Sequence, residues 1–262
     1  MKANYGNWMP KGMLKSMILT SIIIFLVGII ELFMHILRVE YNLIFIPIIL
    51  LLISLIIFWT YLKFKSMYKA FDLNNEGSLA WRIIHFVSDN VKVKDRGSIL
   101  DVGCGSGALA IDCAKKHPNA KITGLDKWGG SYKSFTKEVC EANARVENVL
   151  NIDFIQGSAV KLPFEDETFD AVTSNFVYHN IPGNRQNYIL ETLRVLKKGG
   201  YFAIHDIFVK MKYGNLDTLL EKIKALGFEK VEFIDTCTGT PISQIEAKQN
   251  FLSGSKLLTG IK

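Results

Sequence analysis

Two apolar runs near the start of the chain fix most of what its first quarter can become. Met17–Leu37 (MILTSIIIFLVGIIELFMHIL) and Leu43–Leu62 (LIFIPIILLLISLIIFWTYL) are almost unbroken hydrophobic sequence. As helices rising 1.5 Å per residue, spans of about 20 residues cross the roughly 30 Å hydrocarbon core of a bilayer. The second run carries no charge, and the first carries only Glu31 and His35. Their spacing of four puts these two on one helix face, where they can pair or meet a partner. A cleaved signal peptide fits poorly. The first run exceeds a signal's usual apolar region of about 7–15 residues, no small-residue cleavage pattern follows, and a second run comes at once. The expected arrangement is a transmembrane hairpin, with segment 1–16 before it and helices at 17–37 and 43–62.

Charge orients the hairpin. Lys2, Lys11 and Lys15 precede the first run and Lys63, Lys65 and Lys69 follow the second, whereas Arg38, beside Glu40, is the one basic residue between them. The positive-inside rule then places both ends, and everything downstream, in the cytoplasm of a multi-pass cell-membrane protein. Of the formal net charge of +6, most lies in residues 1–96, with 11 Lys and Arg against 6 Asp and Glu; the remainder holds 20 against 19. A basic excess confined beside the membrane suits anionic inner-leaflet lipids and leaves no basic stripe for nucleic acid. The stretch KFKSMYKAF (63–71) mixes lysines with Phe64, Met67, Tyr68 and Phe71 and is expected to lie along the headgroups, within a basic juxtamembrane linker at 63–77. The four cysteines form no Cys-x-x-Cys pair and have no histidine at zinc spacing, so reduced, buried thiols and no metal site are expected.

From Ser78 the pattern changes. SLAWRIIHFVSDN sets Leu79, Ile83 and Phe86 at helical spacing, with Ser78 able to cap. Strand signals follow at SILDV, KITGLD, IDFIQG, FDAVTSN, YFAIHDI and VEFIDT, with helical stretches near 107–117, 131–146, 184–197 and 215–226 between them. Strands alternating with helices argue for an α/β domain, at 78–262, with a doubly wound, mostly parallel sheet. VEFIDT leads to SKLLTGIK through a loop with no credible helix, so this seventh and last strand is expected to return antiparallel.

DVGCGSGALA (101–110) carries the chemistry. Gly103, Gly105 and Gly107 lie between a strand and a helix, where backbone can approach a ligand and free N–H groups await one. An acid closing the next strand is the usual partner of ribose hydroxyls, and Asp126 stands there. Gly103-x-Gly105-x-x-Ala108 also satisfies the dinucleotide fingerprint, so an NAD-dependent oxidoreductase stands as a rival.

Three further stretches narrow the choice. ILDVGCGSG, KLPFEDETFDAVTSNFVYHNIP and LRVLKKGGYFAIHD, with the terminal VEFIDT…GSKLLTGIK hairpin, together resemble the class I S-adenosylmethionine-dependent methyltransferases over residues 78–262. The usual Lys-Pro-Gly-Gly turn has Lys198 in place of proline. The resemblance implies a Rossmann-like fold with S-adenosylmethionine as cofactor. Asp101, Gly103, Cys104, Gly105 and Gly107 would line its methionine and ribose end. Asp126 would hold the ribose hydroxyls, Lys127 and Trp128 would flank the adenine, and the turn Gly157, Ser158, Ala159 would read its edge. Ser158 stands where the family often has an acid, and Asn175 would face the methyl group.

Methyl transfer from a sulfonium needs near-attack geometry, and a base only if the nucleophile must lose a proton. In SNFVYHN, directly after the fourth strand, His179 and Tyr178 are the catalytic candidates; His205 and Asp206 come next. The Asn/Asp-Pro-Pro-Tyr/Phe motif of adenine and glutamine methyltransferases is absent. The substrate left is a small molecule or a lipid, and the hairpin favours a lipophilic one. A membrane-protein partner, or a catalytically silent cofactor-binding module in a membrane complex, is the alternative.

Overall fold

The computed structural model describes residues 2–38, 44–129 and 134–262. Glu40, Leu43 at the start of the second expected span, and 131–133 of an expected helix lie outside the described residues. The chain divides into a helical hairpin, 7–71, and an α/β unit that takes up residues on both sides of it, 2–6 and 72–262.

The hairpin is α1 (Lys11–Arg38) and α2 (Phe45–Ala70). Ser21 Oγ donates to the Ser54 carbonyl at 3.0 Å, and Gly28 lies against Leu50 and Leu51, so the helices run antiparallel. Small residues set that close approach, while large apolar side chains such as Ile23, Phe33, Leu55 and Trp59 face outward. Only 11% of each apolar window is buried, unlike the core helix of a soluble protein. Both helices outrun the expected spans. Residues 63–70, expected as a linker, continue α2 without a break, with Lys63 over the Trp59 ring and Lys65 over Tyr61. His35 Nδ1 bonds to the Glu31 backbone carbonyl at 3.3 Å.

The α/β unit begins with α3 (Leu79–Asp89), whose cap Ser78 accepts from the Trp81 amide. Then come β1 (Ser98–Val102), α4 (Ala108–Lys116), β2 (Lys121–Asp126), α5 (Lys137–Val146), β3 (Ile152–Gln156), β4 (Phe169–Asn175), α6 (Arg185–Arg194) and β5 (Leu196–Ile207). The chain ends with α7 (Lys210–Tyr213), α8 (Leu216–Ala225), β6 (Lys230–Asp235), α9 (Gln244–Gln249) and β7 (Ser255–Ile261). The sheet order is β3-β2-β1-β4-β5-β7-β6, parallel except for β7, which runs antiparallel to both neighbours. Strand interiors such as Ile99, Leu100, Val172, Phe202 and Ile204 are buried, as helices on both faces require.

Three local expectations change. Helix α5 starts at Lys137 because Thr136 caps it, accepting from the Val139 amide. Helix α6 stops at Arg194 because β5 already begins at Leu196. The connection to β7, expected to hold no helix, contains α9, started by a capping box in which Ser243 and Glu246 satisfy each other's backbone N–H.

Candidate functional site

The glycine loop joins β1 to α4. Gly103, at φ +74°, is glycine because a Cβ there would fall 2.3 Å from Val177 Cγ2, so the turn after β4 packs directly on the loop. Gly105, at φ +59°, differs: its Cβ would meet nothing nearer than Phe135 at 3.6 Å, which leaves its outer face open. Cys104 points inward against Gly124 of β2, so only its backbone can serve a ligand.

Asp126, at the end of β2, locks this loop. Its Oδ2 accepts from the Gly105 amide at 2.9 Å and its Oδ1 from the Trp128 amide at 2.8 Å, leaving each oxygen one lone pair. The Trp128 indole donates to the Gly105 carbonyl at 2.8 Å, which holds the ring over the loop. Lys127 is exposed, and its carbonyl accepts from Gln156. The Gly157 amide donates to the Asp126 carbonyl at 2.9 Å. The Ser158 hydroxyl is folded into its own turn, accepting from the Val160 amide at 3.2 Å, and Ala159 is buried.

Beneath the loop, Asp101 is 1% exposed and neither carboxylate oxygen has a hydrogen-bond partner. Burial first, then the negative charge of Asp126, pushes its carboxyl up to about 8. A buried, orphaned acceptor at the base of an open backbone cradle fits a ligand that brings a cationic donor.

Across the loop, Phe176 takes φ +56°, a conformation uncommon outside glycine, and this breaks the alternation of β4. A one-turn 3-10 helix, Tyr178–Asn180, follows. Tyr178 therefore turns into the core: it is fully buried and its hydroxyl pairs with Thr192 Oγ1 at 2.7 Å. Burial raises its phenol well above the usual range. Tyr178 cannot reach a substrate, which corrects the expectation of a catalytic role.

His179 faces the other way. Its Nδ1 donates to Asp206 Oδ1 at 2.5 Å and its backbone amide to Asp206 Oδ2 at 3.2 Å. Asp206 is fully buried, while the imidazole keeps 13% of its side-chain surface exposed. His205 is fully buried between Asn175 Oδ1, at 2.8 Å from its Nδ1, and Thr236 Oγ1, at 3.0 Å from its Nε2. Burial depresses it to about 4, with nearby His179 adding to the effect and Asp206 opposing it. Asn175 is thus tied to His205. Among the described residues no cluster of three metal-ligating side chains occurs, and all four cysteines are free.

One further contributor, Asn143, lies outside the residues expected from sequence. Asn143, on α5 and 3% exposed, donates to the Ser106 carbonyl of the glycine loop at 3.1 Å and to the Asn4 carbonyl at 3.2 Å; its Oδ1 accepts from the Asn4 amide at 2.8 Å. Residues 2–6 are thereby strapped to the loop. Its signal was asparagine, a poor helix former, in mid-helix.

Comparison with known proteins bears on this geometry. Residues 100–204 match a family model described as a methyltransferase domain. A demethylmenaquinone methyltransferase of Lactococcus lactis is 38% identical over 104 residues, 39% of either chain. A sterol 24-C-methyltransferase of Gibberella zeae is 32% identical over 147 residues, 56% of this chain and 36% of its own. The chain thus spans well under half the length of these relatives. The crystal structure of the cyclase SpnF shares the fold, with a TM-score of 0.55 at 21% identity over 69% of this chain and 80% of that one. The family match and the antiparallel β7 remove the NAD-dependent oxidoreductase reading. The glycine loop, Asp126 and the orphaned Asp101 all lie within the residues that match the methyltransferase-domain model, and with the sheet order and the antiparallel β7 they support a class I S-adenosylmethionine-dependent methyltransferase.

Proposed function

We propose that the chain methylates a lipophilic small molecule of quinol type at the cytoplasmic face of a membrane, held there by its hairpin. The observation that carries the reading is the His179–Asp206 pair, at 2.5 Å, on the turn that packs against Gly103. S-adenosylmethionine supplies an electrophilic methyl group on a sulfonium. The free lone pairs of Asp126 suit its ribose hydroxyls and Asp101 its ammonium. Lys127, Trp128 and the backbone of the Gly157–Ala159 turn suit its adenine. The Ser158 hydroxyl is already engaged, so the turn would read the adenine edge through main-chain groups.

Asp206, accepting from Nδ1, fixes the tautomer that leaves Nε2 of His179 as the acceptor. Nε2 takes the proton of a substrate hydroxyl, so the electron pair released there makes the acceptor nucleophilic. Asp206 does not touch the substrate; it positions the ring. His205, neutral and enclosed, orders Asn175.

Support for the anchor comes from several sides. Both helices are long and apolar enough to cross a membrane. The residues flanking them are joined, the Tyr5 amide donating to Asn74 Oδ1 at 3.2 Å, so the hairpin starts and ends on one side. The lysines outside the spans favour the cytoplasmic side. The matched relatives are named for a quinone and a sterol substrate, both lipophilic. A cyclase on this fold shows why the reaction needs its own test.

That test places the full chain in anionic vesicles with methyl-labelled S-adenosylmethionine and a hydroquinone, with or without a polyprenyl tail. The reading expects methylation of the tailed hydroquinone, and a fall of about 10²–10⁴ in rate for His179→Ala. Cofactor binding without transfer to either hydroquinone, or to a membrane extract, would leave a silent binding module instead.

A further inference from the structure

Three exposed apolar side chains stand on the rim of the α/β unit that carries His179. Met211 is 92% exposed, Ile245 68% and Phe251 59%. Topology gathers them: Met211 follows β5, the other two precede β7, and the Phe208 amide bonds to the Gly254 carbonyl at 2.9 Å, joining the two segments. Lysines are interspersed. Lys210 and Lys248 are exposed, and Lys212 Nζ donates to the His179 carbonyl at 3.4 Å. In segments 207–214 and 236–254 the sole acid is Glu246, and Arg82 already pairs with it.

Within the α/β unit, the segment that begins at Asp72 is tied to this rim. The Leu73 carbonyl accepts from the Trp81 indole at 2.6 Å, and the Arg82–Glu246 ion pair ties the start of α3 to α9. Nine residues, 63–71, separate the second apolar run from Asp72. Even fully extended they reach about 30 Å, which bounds the length of the tether between the second run and the α/β unit.

We propose that Met211, Ile245 and Phe251, flanked by Lys210, Lys212 and Lys248, form a second membrane contact, a face that sits on anionic lipid and presents the His179 site to it. Apolar side chains between lysines suit the acyl–headgroup boundary, where the rings and aliphatic groups leave water while the ammonium groups meet phosphate. The proposal rests on reading the chain as a membrane-anchored enzyme. It adds how a lipophilic substrate would arrive, directly from the leaflet.

The test uses the full chain in phosphatidylglycerol vesicles, with the photo-crosslinker p-benzoyl-phenylalanine placed in turn at Met211, Ile245 and Leu150. Leu150 is 92% exposed but lies before β3, at the opposite edge of the sheet, and serves as the control. Mass spectrometry should find phospholipid adducts at Met211 and Ile245 and none above background at Leu150. Lys210→Glu with Lys248→Glu should cut the adduct yield at least about 30-fold, the effect of losing two surface lysines at about 1 kcal/mol each. Adducts to protein alone, equal labelling at all three positions, or no effect of charge reversal would overturn the proposal. The readout does not depend on turnover. Methyl transfer without lipid adducts overturns the docking face alone, and adducts without methyl transfer overturn the enzymatic reading alone.

Discussion

Asp206→Asn isolates the positioning of His179. The native carboxylate is fully buried and accepts three hydrogen bonds, from His179 Nδ1 at 2.5 Å, the Ile207 amide at 2.6 Å and the His179 amide at 3.2 Å. A carboxamide has almost the same shape but no charge, and one of its ends is a donor. If its oxygen stays toward Nδ1, the bond drops from the charge-assisted range of about 1.5–3 kcal/mol to about 1. That loss of about 0.5–2 kcal/mol, felt most when the ring becomes imidazolium, slows turnover about 2- to 30-fold. If the amide instead turns its NH2 toward the ring, the opposite tautomer is selected and Nε2 can no longer accept. The loss then approaches that of His179→Ala. Initial rates of methyl transfer in vesicles measure kcat for Asp206→Asn, His179→Ala and the double variant, with cofactor affinity by titration calorimetry. The expected result is a lower kcat with unchanged cofactor affinity, and a double variant no slower than His179→Ala, because both act through one ring. Wild-type kcat in Asp206→Asn, or a further tenfold loss in the double variant, would refute the reasoning.

Tyr178→Phe should lower stability by about 1 kcal/mol in thermal unfolding, from the lost bond to Thr192, and leave kcat unchanged; a collapse of kcat with a normal Tm would return Tyr178 to the site. The Asp101 carboxyl keeps its proton to about 8 in the fold, far above its unfolded value. Its contribution to stability is therefore full in acid, below the unfolded value, and is lost as pH rises toward about 8. Asp101→Asn should flatten that decline in the unliganded chain while weakening S-adenosylmethionine binding, and calorimetry in buffers of different ionisation enthalpy should show wild-type binding release protons near pH 7. Asn143→Ala removes three hydrogen bonds at a site 3% exposed. It should speed amide exchange in residues 2–6 and the glycine loop together and weaken cofactor binding about tenfold; exchange confined to either segment would break the link between them.

How far the sequence could be read depended on how local each signal was. The glycine loop, Asp126 and the strand–helix alternation are encoded in contiguous stretches, and each lies where its pattern put it. The partner of His179 was harder to read. Asp206 is 27 residues away in sequence, and only the parallel pairing of β4 with β5 sets the two side by side. The inward turn of Tyr178 is not legible locally, because a positive φ at Phe176 reverses which neighbour faces inward, a conformation that no side-chain pattern announces. Helix α9 does have a local signal, the capping box Ser243-x-x-Glu246, but it sits in a polar stretch too short for periodicity to show. Asn143 and the strap at residues 2–6 depend on a contact across 139 residues, beyond any local pattern.

The central claim is that the loop and the His179 turn together methylate something that dissolves in membranes. The direct measurement incubates the full chain in vesicles with methyl-labelled S-adenosylmethionine and host membrane extract, beside Asp126→Ala, and counts label in organic and aqueous phases. Label in the organic phase that disappears with Asp126→Ala is the expected result. Asp126-dependent label confined to the aqueous phase, or no label in either, would contradict it.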